Sequence, residues 1–287
     1  MISAPFDYVR ANTLEEALTL LAQNEDAKIL AGGHSLIPAM KLRLARPTLL
    51  IDIARLQDLT YVREEGGQIR IGAMTTHYQI ESSDLLKNLC PLLPECASHI
   101  GDLQVRNKGT IGGSLAHADP AGDWPAAAIA LNAELVATSK NGDRTINVND
   151  FFVDMLTTAL QPGEILREIR INKTNDRTGH AYVKMPHPAS GFAVVGVAAN
   201  LSFNGGNECK SASIGITGVS SKAYRAAAVE HTLVGNPVNE GTMLSAGARA
   251  TDGVDVNGDV FASDEYRRHL AAVYVRRAIA AAMERAG

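Results

Sequence analysis

The sequence is poor in cysteine and contains no long apolar run. Its three cysteines, Cys90, Cys96 and Cys209, form no CxxC or CxxH set. A disulfide framework, a structural zinc site or an iron–sulfur cluster within this chain is therefore not expected. No stretch approaches the roughly 20 apolar residues that cross a bilayer, and residues 1–7 lack the basic and apolar regions of a signal peptide. We expect a cytoplasmic protein with no transmembrane segment.

The chain also lacks a large excess of charge of either sign. The 287 residues carry a formal net charge of −4 at pH 7, which argues against a broad nucleic-acid surface. Apolar residues make up 46% and charged residues 20% of the chain, as in ordinary globular proteins with a packed core. The length is sufficient for two domains.

Two short segments each pair a double glycine with hydroxyl side chains. The first glycine segment is Ala31-Gly32-Gly33-His34-Ser35, and the second is Gly109-Thr110-Ile111-Gly112-Gly113-Ser114. Glycine tolerates positive φ and lets a ligand approach the main chain. Successive N–H groups in such a turn form a concave anion site. Two such loops predict that a pyrophosphate is held from both sides, and hence that the chain binds a dinucleotide.

The common nucleotide-binding motifs are missing. Neither glycine segment contains the G-x-G-x-x-G fingerprint of the Rossmann fold, and the chain has no Walker A pattern, G-x-x-x-x-G-K-[ST]. A dinucleotide would therefore be bound by a different fold.

Apolar periodicity and turn signals predict an α+β fold. Thr13 and Glu16 form a capping-box pattern before a helix, and Asp123 is expected to cap an alanine-rich helix that ends near Leu131. The other predicted helices lie in 84–101 (two pieces), 223–233, 240–251 and 264–286, the last capped by Ser263. The predicted strands are 28–31, 48–53, 68–73, 134–138, 144–148, 164–171, 182–185, 192–203 and 209–217. The polar segment 172–178 is expected to separate two domains, the second of which begins with an antiparallel meander.

Several motifs resemble those of the FAD-binding medium subunit of the molybdenum hydroxylases, the family of carbon monoxide dehydrogenase and xanthine dehydrogenase. The two glycine segments are similar to the two FAD loops of that family. The similarity covers nearly the whole chain in the same order, through Phe6-Asp7-Tyr8, Ile71-Gly72-Ala73-Met74-Thr75-Thr76, Asp119-Pro120 with Asp123, Pro162-Gly163-Glu164 and Glu265-Tyr266-Arg267-Arg268-His269-Leu270.

The resemblance implies a two-subdomain FAD-binding fold of the vanillyl-alcohol-oxidase (PCMH) type in residues 1–175, split near residue 55. A C-terminal domain with a three-stranded antiparallel sheet and helices would follow in residues 176–287. The resemblance also implies an electron-transfer subunit, in which FAD is reduced by [2Fe–2S] clusters of a small partner subunit. Those clusters would be reduced in turn by the molybdopterin of a large subunit, and the complex would be a dimer of heterotrimers. The substrate and the final electron acceptor stay open.

The resemblance further implies cofactor-binding roles within the two glycine segments. Backbone N–H donors to the pyrophosphate would be Gly32, Gly33, Gly112 and Gly113, and hydroxyl donors would be Ser35, Thr110 and Ser114. Further contacts to FAD would come from Lys28, Ala31, His34, Leu36 and Ile111. On this interpretation, Gly112→Val would abolish FAD binding while leaving the chain folded.

Three residues outside these segments would lie near the flavin. Asp123 matches an aspartate that contacts FAD in the family. Lys184 and Phe192 belong to a segment that reaches back over the isoalloxazine ring in relatives. There the lysine would favour the anionic reduced flavin, and the phenylalanine would cover the ring face. The plainer interpretations are a helix cap, a strand-edge lysine and a core phenylalanine.

Two alternatives stay open at the level of sequence. A free-standing FAD oxidase or dehydrogenase would need a general base beside the flavin, and His34, His77, His117 and His187 are scattered along the chain. A flavin-free assembly subunit would have kept only the fold, but the intact glycines of both segments argue against it. The leading interpretation is the FAD-binding electron-transfer subunit.

Overall fold

The computed structural model describes residues 2–173 and 177–286, which form three sheets of three, five and four strands and one short two-stranded ribbon. The predicted domain boundary at 175 lies outside the described residues. The strands are β1 Asp7–Arg10, β2 Ala27–Leu30, β3 Leu49–Asp52, β4 Val62–Glu65, β5 Gln68–Gly72, β6 Glu134–Ser139, β7 Gly142–Asn147, β8 Phe152–Asp154, β9 Thr157–Thr158, β10 Ile165–Asn172, β11 Thr178–Pro186, β12 Ala193–Phe203, β13 Cys209–Thr217 and β14 Tyr224–Arg225.

The helices of the described residues are mostly short, with one long C-terminal helix. They are α1 Leu14–Gln23, α2 Leu36–Lys41, α3 His77–Ser82, α4 Asp84–Leu89, α5 Leu92–Ser98, α6 Leu103–Lys108, α7 Ile111–His117, α8 Asp123–Ala130, α9 Val148–Phe151, α10 Ala227–Leu233, α11 Glu240–Ala248 and α12 Asp264–Glu284. A 3-10 turn at Gln57–Leu59 follows the first sheet. Within these ranges, no helix is both long and apolar enough to cross a membrane.

The first sheet is parallel, with strand order β1-β3-β2, and is covered by α1. The Thr13 hydroxyl accepts the Glu16 N–H at 3.1 Å, as the capping pattern predicts. The Glu16 carboxylate, however, accepts the N–H of Asn12 at 2.7 Å. The cap therefore forms, with its second half displaced by one residue, and α1 buries Ala17 and Leu18 against the sheet.

The second sheet is antiparallel, with order β4-β5-β10-β6-β7. Alternation along β5 and β10 sends Ile69, Ile71, Ile169 and Ile171 into a core that Trp124 of α8 shares. Residues of α5, α7 and α8 contribute to the same core. The site described below lies among these helices and their connections to the first and third sheets.

The third sheet is antiparallel, with order β11-β12-β13-β14. The expectation of three strands is corrected here, because Tyr224 and Arg225 pair with Ile216 and Gly215 as a short fourth strand. The helix predicted from residue 223 accordingly begins only at Ala227. Ser263 caps α12 as predicted, its hydroxyl accepting the Tyr266 N–H at 3.1 Å.

Small residues let helices pack closely on both faces of the third sheet. A Cβ atom on Gly215 of β13 would lie 2.1 Å from the Ala126 carbonyl oxygen of α8, and one on Gly179 of β11 would lie 1.7 Å from the Ala282 carbonyl oxygen of α12. Only glycine permits these approaches. The contact of α8 with β13 joins the third sheet to the helices of the second.

Candidate functional site

The two glycine segments contact each other, as the sequence predicts. A Cβ atom on Gly32 would lie 2.1 Å from the Lys108 carbonyl oxygen and 2.8 Å from Gly109 Cα. A Cβ atom on Gly113 would lie 3.6 Å from the Ala31 Cβ. Since a side chain at position 32 would separate the segments, glycine is required there for the close approach.

The first glycine segment presents a run of amide donors. Gly33 has a φ of +76°, in the left-handed region that favours glycine. Within the described chain, the N–H groups of Gly32, Gly33, His34 and Ser35 have no hydrogen-bond acceptor. Consecutive N–H groups around a left-handed residue form an anion-binding concavity. The segment thus fits a phosphate, and its unpaired donors agree with a site that a ligand completes.

The sequence predicts a loop at the second glycine segment, but the structure shows that the double glycine there lies in the first turn of α7. Thr110 is the N-cap, and its hydroxyl accepts the Gly113 N–H at 3.1 Å. The Gly112 N–H donates to the Ala73 carbonyl at 2.9 Å. Both amide donors assigned to a pyrophosphate are therefore already bonded within the chain. The double glycine in the first turn of α7 instead allows close packing.

Gly112 illustrates this packing. A Cβ atom there would lie 2.4 Å from the Ala73 Cβ and 2.6 Å from the Ala73 carbonyl oxygen. A valine at this position would displace β5 and α7 as well as any ligand. Gly112→Val therefore does not separate binding from folding, contrary to the expectation from sequence.

The remaining predicted cofactor residues differ in burial and in the element that carries them. Ser35 is the N-cap residue of α2, and its hydroxyl makes no capping bond, while Leu36 is the first residue of that helix. Exposed His34 and half-buried Ser114 lie on the respective segments, whereas Ile111 and Thr110 are buried. Lys28 is exposed on the edge strand β2, three residues before the segment.

A buried polar cluster brings together Asp123 and Lys184. The Lys184 ammonium donates to Asp123 Oδ1 at 2.8 Å and to the His99 carbonyl at 2.7 Å. The Tyr182 hydroxyl donates to the same Asp123 oxygen at 2.5 Å. The side chains of Lys184 and Asp123 are only 2% and 5% exposed, so this is a fully desolvated ion pair. Tyr182 was missed at the sequence level, although period-2 alternation places it on the same face of β11 as Lys184.

The cluster corrects two expectations. Asp123 is not the N-cap of α8, because Gly122 holds that position and Asp123 is the first helical residue. Lys184 lies on the edge strand β11, but its side chain is buried and is not an unpaired cation, because Asp123 neutralises it. Burial raises the pKa of Asp123, and the Lys184 ammonium opposes that rise. Burial, followed by the Asp123 charge, raises the pKa of the Tyr182 hydroxyl well above its ordinary value, so the hydroxyl remains a donor.

Phe192 is 46% exposed, so it is not a core phenylalanine. It follows a turn in which the His187 N–H donates to the Phe192 carbonyl at 2.7 Å. The His187 ring packs at 4.4 Å from that of Phe261. Phe192 is thus an aromatic surface held at the end of a closed turn.

The connection from α7 to α8 joins the glycine segments to the polar cluster. The Ala193 N–H donates to the Ala121 carbonyl at 3.1 Å, and the Gly218 N–H donates to the Pro120 carbonyl at 2.7 Å. The Thr217 hydroxyl lies 2.8 Å from the Gly122 carbonyl. Residues 119–122 are therefore held by the ends of β12 and β13, next to Phe192.

Comparisons with known proteins agree with this arrangement. The family described as the FAD binding domain in molybdopterin dehydrogenase matches residues 4–173. The family described as the CO dehydrogenase flavoprotein C-terminal domain matches residues 180–282. The chain belongs to the family of FAD-binding subunits of molybdopterin dehydrogenases.

Individual relatives match this flavoprotein subunit over almost its full length. It is 39% identical to the carbon monoxide dehydrogenase medium chain of Afipia carboxidovorans, over 100% of this chain and 99% of the relative. It is 36% identical to the glyceraldehyde dehydrogenase medium chain of Sulfolobus acidocaldarius, over 97% and 98% of the two chains. In the solved carbon monoxide dehydrogenase of Hydrogenophaga pseudoflava, a chain that is 39% identical superposes with a TM-score of 0.96 over 99% of both chains.

These findings confirm the family and the fold expected from the sequence motifs. The flavoprotein subunit carries the FAD-binding domain in its own chain and belongs to an oxidoreductase family. The assignment of individual residues to the cofactor stays a prediction.

Proposed function

We propose that this subunit passes electrons from the iron–sulfur clusters of a small partner subunit to an external acceptor through FAD bound at the contact between its glycine segments. The observation that carries the proposal is the run of unpaired amide donors from Gly32 to Ser35. Because Gly32 contacts Gly109 and Ala31 lies near Gly113, a pyrophosphate bound to these amides would lie between the two segments.

Different residues of the site would bind different parts of FAD. Amides of the first glycine segment would bind the pyrophosphate, with Ser35 and Ser114 adding hydroxyl donors. Gly112 and Gly113 would allow close approach rather than donate. FAD supplies a carrier that accepts and releases electrons, and the protein orients it and sets its surroundings.

At the other end of the site, exposed Phe192 would cover one face of the flavin. The cluster of Asp123, Lys184 and Tyr182 would supply a rigid polar wall instead of a free positive charge. Its members are already hydrogen-bonded to one another, so they would lose little freedom when FAD binds.

The partners follow from the family. Relatives are named medium chains, which supports a complex with a smaller iron–sulfur subunit and a larger molybdopterin subunit. We extend the proposal to a dimer of heterotrimers and to a cytoplasmic location. Because the relatives are named for different substrates, carbon monoxide and glyceraldehyde among them, we assign the choice of substrate to the large subunit.

The test is to purify the tagged chain from its own host and analyse what accompanies it. The proposal predicts two further subunits that carry iron and molybdenum, and bleaching of the flavin only when both are present with a reducing substrate. A chain that purifies alone and whose flavin is reduced directly by a small substrate would contradict the proposal and favour a free-standing dehydrogenase.

A further inference from the structure

His77 lies directly beneath the contact between the two glycine segments. It is the first residue of α3 and is only 4% exposed. The backbone N–H of His77 donates to the Gly109 carbonyl at 3.0 Å, which connects α3 to the start of the second glycine segment. Gly109 in turn touches Gly32, so His77 is one residue removed from the amide donors of the first segment.

The hydrogen bonds of the His77 ring fix its tautomer. The indole N–H of Trp124 donates to His77 Nδ1 at 3.0 Å. An indole nitrogen can only donate, so Nδ1 is an acceptor and the neutral ring carries its hydrogen on Nε2. Burial lowers the pKa of His77 to about 4, and the nearby charges of His34 and Arg106 act in the same direction. At neutral pH the ring is therefore a neutral, oriented donor.

The Nε2 donor has no hydrogen-bond acceptor among residues 2–173 and 177–286. A Cβ atom on Gly109 would lie only 2.6 Å from Nε2. A side chain at position 109 would therefore cover the donor, and glycine leaves it accessible from the side of the first glycine segment. The His77 residue is buried, but Nε2 is not among the enclosed side-chain atoms that lack a partner. An oriented donor that no residue of the described chain occupies, and that a ligand can reach, fits an acceptor supplied by a ligand.

We infer that the Nε2–H of His77 is a further donor to the phosphates of FAD, beside the amides of the first glycine segment. The inference rests on the proposed function, since it needs FAD at this contact. Trp124 acts through His77 by holding the tautomer that makes Nε2 the donor. Because Trp124 follows Asp123 directly, the hydrogen bond from Trp124 to His77 connects the glycine segments to the polar cluster of Asp123, Lys184 and Tyr182.

The test compares substitutions that separate the two ring nitrogens in the full chain. His77→Asn keeps an oxygen acceptor near the position of Nδ1 but lacks the Nε2 donor, whereas His77→Gln places an amide N–H near Nε2. We expect His77→Asn to raise the Kd for FAD roughly 10- to 100-fold, as is typical of a lost hydrogen bond to a charged group. His77→Gln should restore binding to within about threefold of wild type. Flavin fluorescence measures the affinity, and thermal unfolding of the FAD-free chain serves as the control for folding.

Two nucleotide probes test whether the contact is to phosphate. ADP keeps two phosphates but has no flavin, and adenosine has neither. His77→Asn should weaken ADP in competition with FAD and leave adenosine unchanged. FAD affinity of His77→Asn within twofold of wild type, equal weakening of ADP and adenosine, or failure of His77→Gln to rescue would each overturn the inference. A wild-type chain that does not bind FAD would instead contradict the proposed function, and the His77 inference would fail with it.

Discussion

Gly33 and Gly67 have almost the same backbone conformation, with φ values of +76° and +78°, but only Gly33 lies in the first glycine segment. Their surroundings also differ. A Cβ atom on Gly33 would lie 3.2 Å from Ile37 Cγ1 and 3.3 Å from Leu30 Cδ1, whereas one on Gly67 would meet nothing within 4 Å. Substitution of Gly67 therefore serves as a control for the cost of a left-handed backbone at a position away from the candidate FAD site.

We predict that Gly33→Ala and Gly67→Ala each lower the free energy of unfolding by about 1–2 kcal/mol, the cost of a left-handed conformation for an alanine. Only Gly33→Ala should weaken FAD binding, because strain there moves the amide donors. Urea unfolding and flavin titration measure the two effects. Equal FAD affinities for the two variants would contradict the role of the first glycine segment.

At this scale, the sequence identifies which residues converge better than it identifies what each contributes. The two glycine segments were predicted to meet, and they do. That the Gly112 and Gly113 amides are bonded within the chain depends on the position of Ala73 and on the Thr110 cap, which the segment alone does not specify. His77 and Tyr182 were not predicted because their partners lie 47 and 59 positions away in sequence.

At the scale of elements, the ion pair of Asp123 and Lys184 joins the start of α8 to β11, and the His99 carbonyl adds the end of α5. The side chains of Asp123 and Lys184 are buried where these three elements meet. Removal of one charge leaves the other buried and unpaired, whereas removal of both leaves a neutral polar site.

We therefore predict that Lys184→Met lowers the free energy of unfolding by about 3–5 kcal/mol. The double substitution Lys184→Met with Asp123→Asn should recover a substantial part of that loss. Urea unfolding of the wild type, the two single variants and the double variant measures the interaction free energy between the two charges. A double variant as unstable as the sum of the two single variants would show that the charges do not act as a pair.

The element predictions succeeded where an apolar pattern dominates. The β13 range of 209–217 was predicted as observed, and alternation revealed β5 and β10 within one residue or two. The helix α7 was missed because glycine disfavours helix interiors by about 1 kcal/mol, but here the glycines occupy the first turn after a capping threonine. The short strand β14 was missed because its two residues carry no periodicity of their own.

At the scale of the whole molecule, two buried histidines make the fold sensitive to acid. Burial lowers the pKa of His77 and of His180 from 6.5 to about 4. His34 and Arg106 face the first ring, and Arg285 and Glu95 face the second. The neutral forms are therefore favoured by the folded state, and their contribution to stability is complete above pH 6.5. It is lost progressively as the pH falls from 6.5 towards 4.

We predict that the free energy of unfolding decreases between pH 7 and pH 5, with uptake on unfolding near pH 5 of about two protons by His77 and His180. His99, whose pKa is also lowered by burial and by Lys184, adds to this uptake. His180→Asn should remove about one of these protons and flatten the profile. Carboxyls with lowered pKa values, such as Asp52 and Glu164, affect stability mainly below this range. A stability that does not change from pH 7 to pH 5 would contradict the burial of both rings.

Binding of FAD at the contact between the two glycine segments is tested most directly by the absorption spectrum of the purified chain after addition of FAD and removal of the excess. We predict flavin bands at about 370 and 450 nm, equimolar FAD released by heat, and bleaching by dithionite. Gly33→Ala should lose most of this absorbance, while Gly67→Ala retains it. A folded wild-type chain that stays colourless, or a Gly33→Ala variant that holds FAD as tightly as the wild type, would contradict the account.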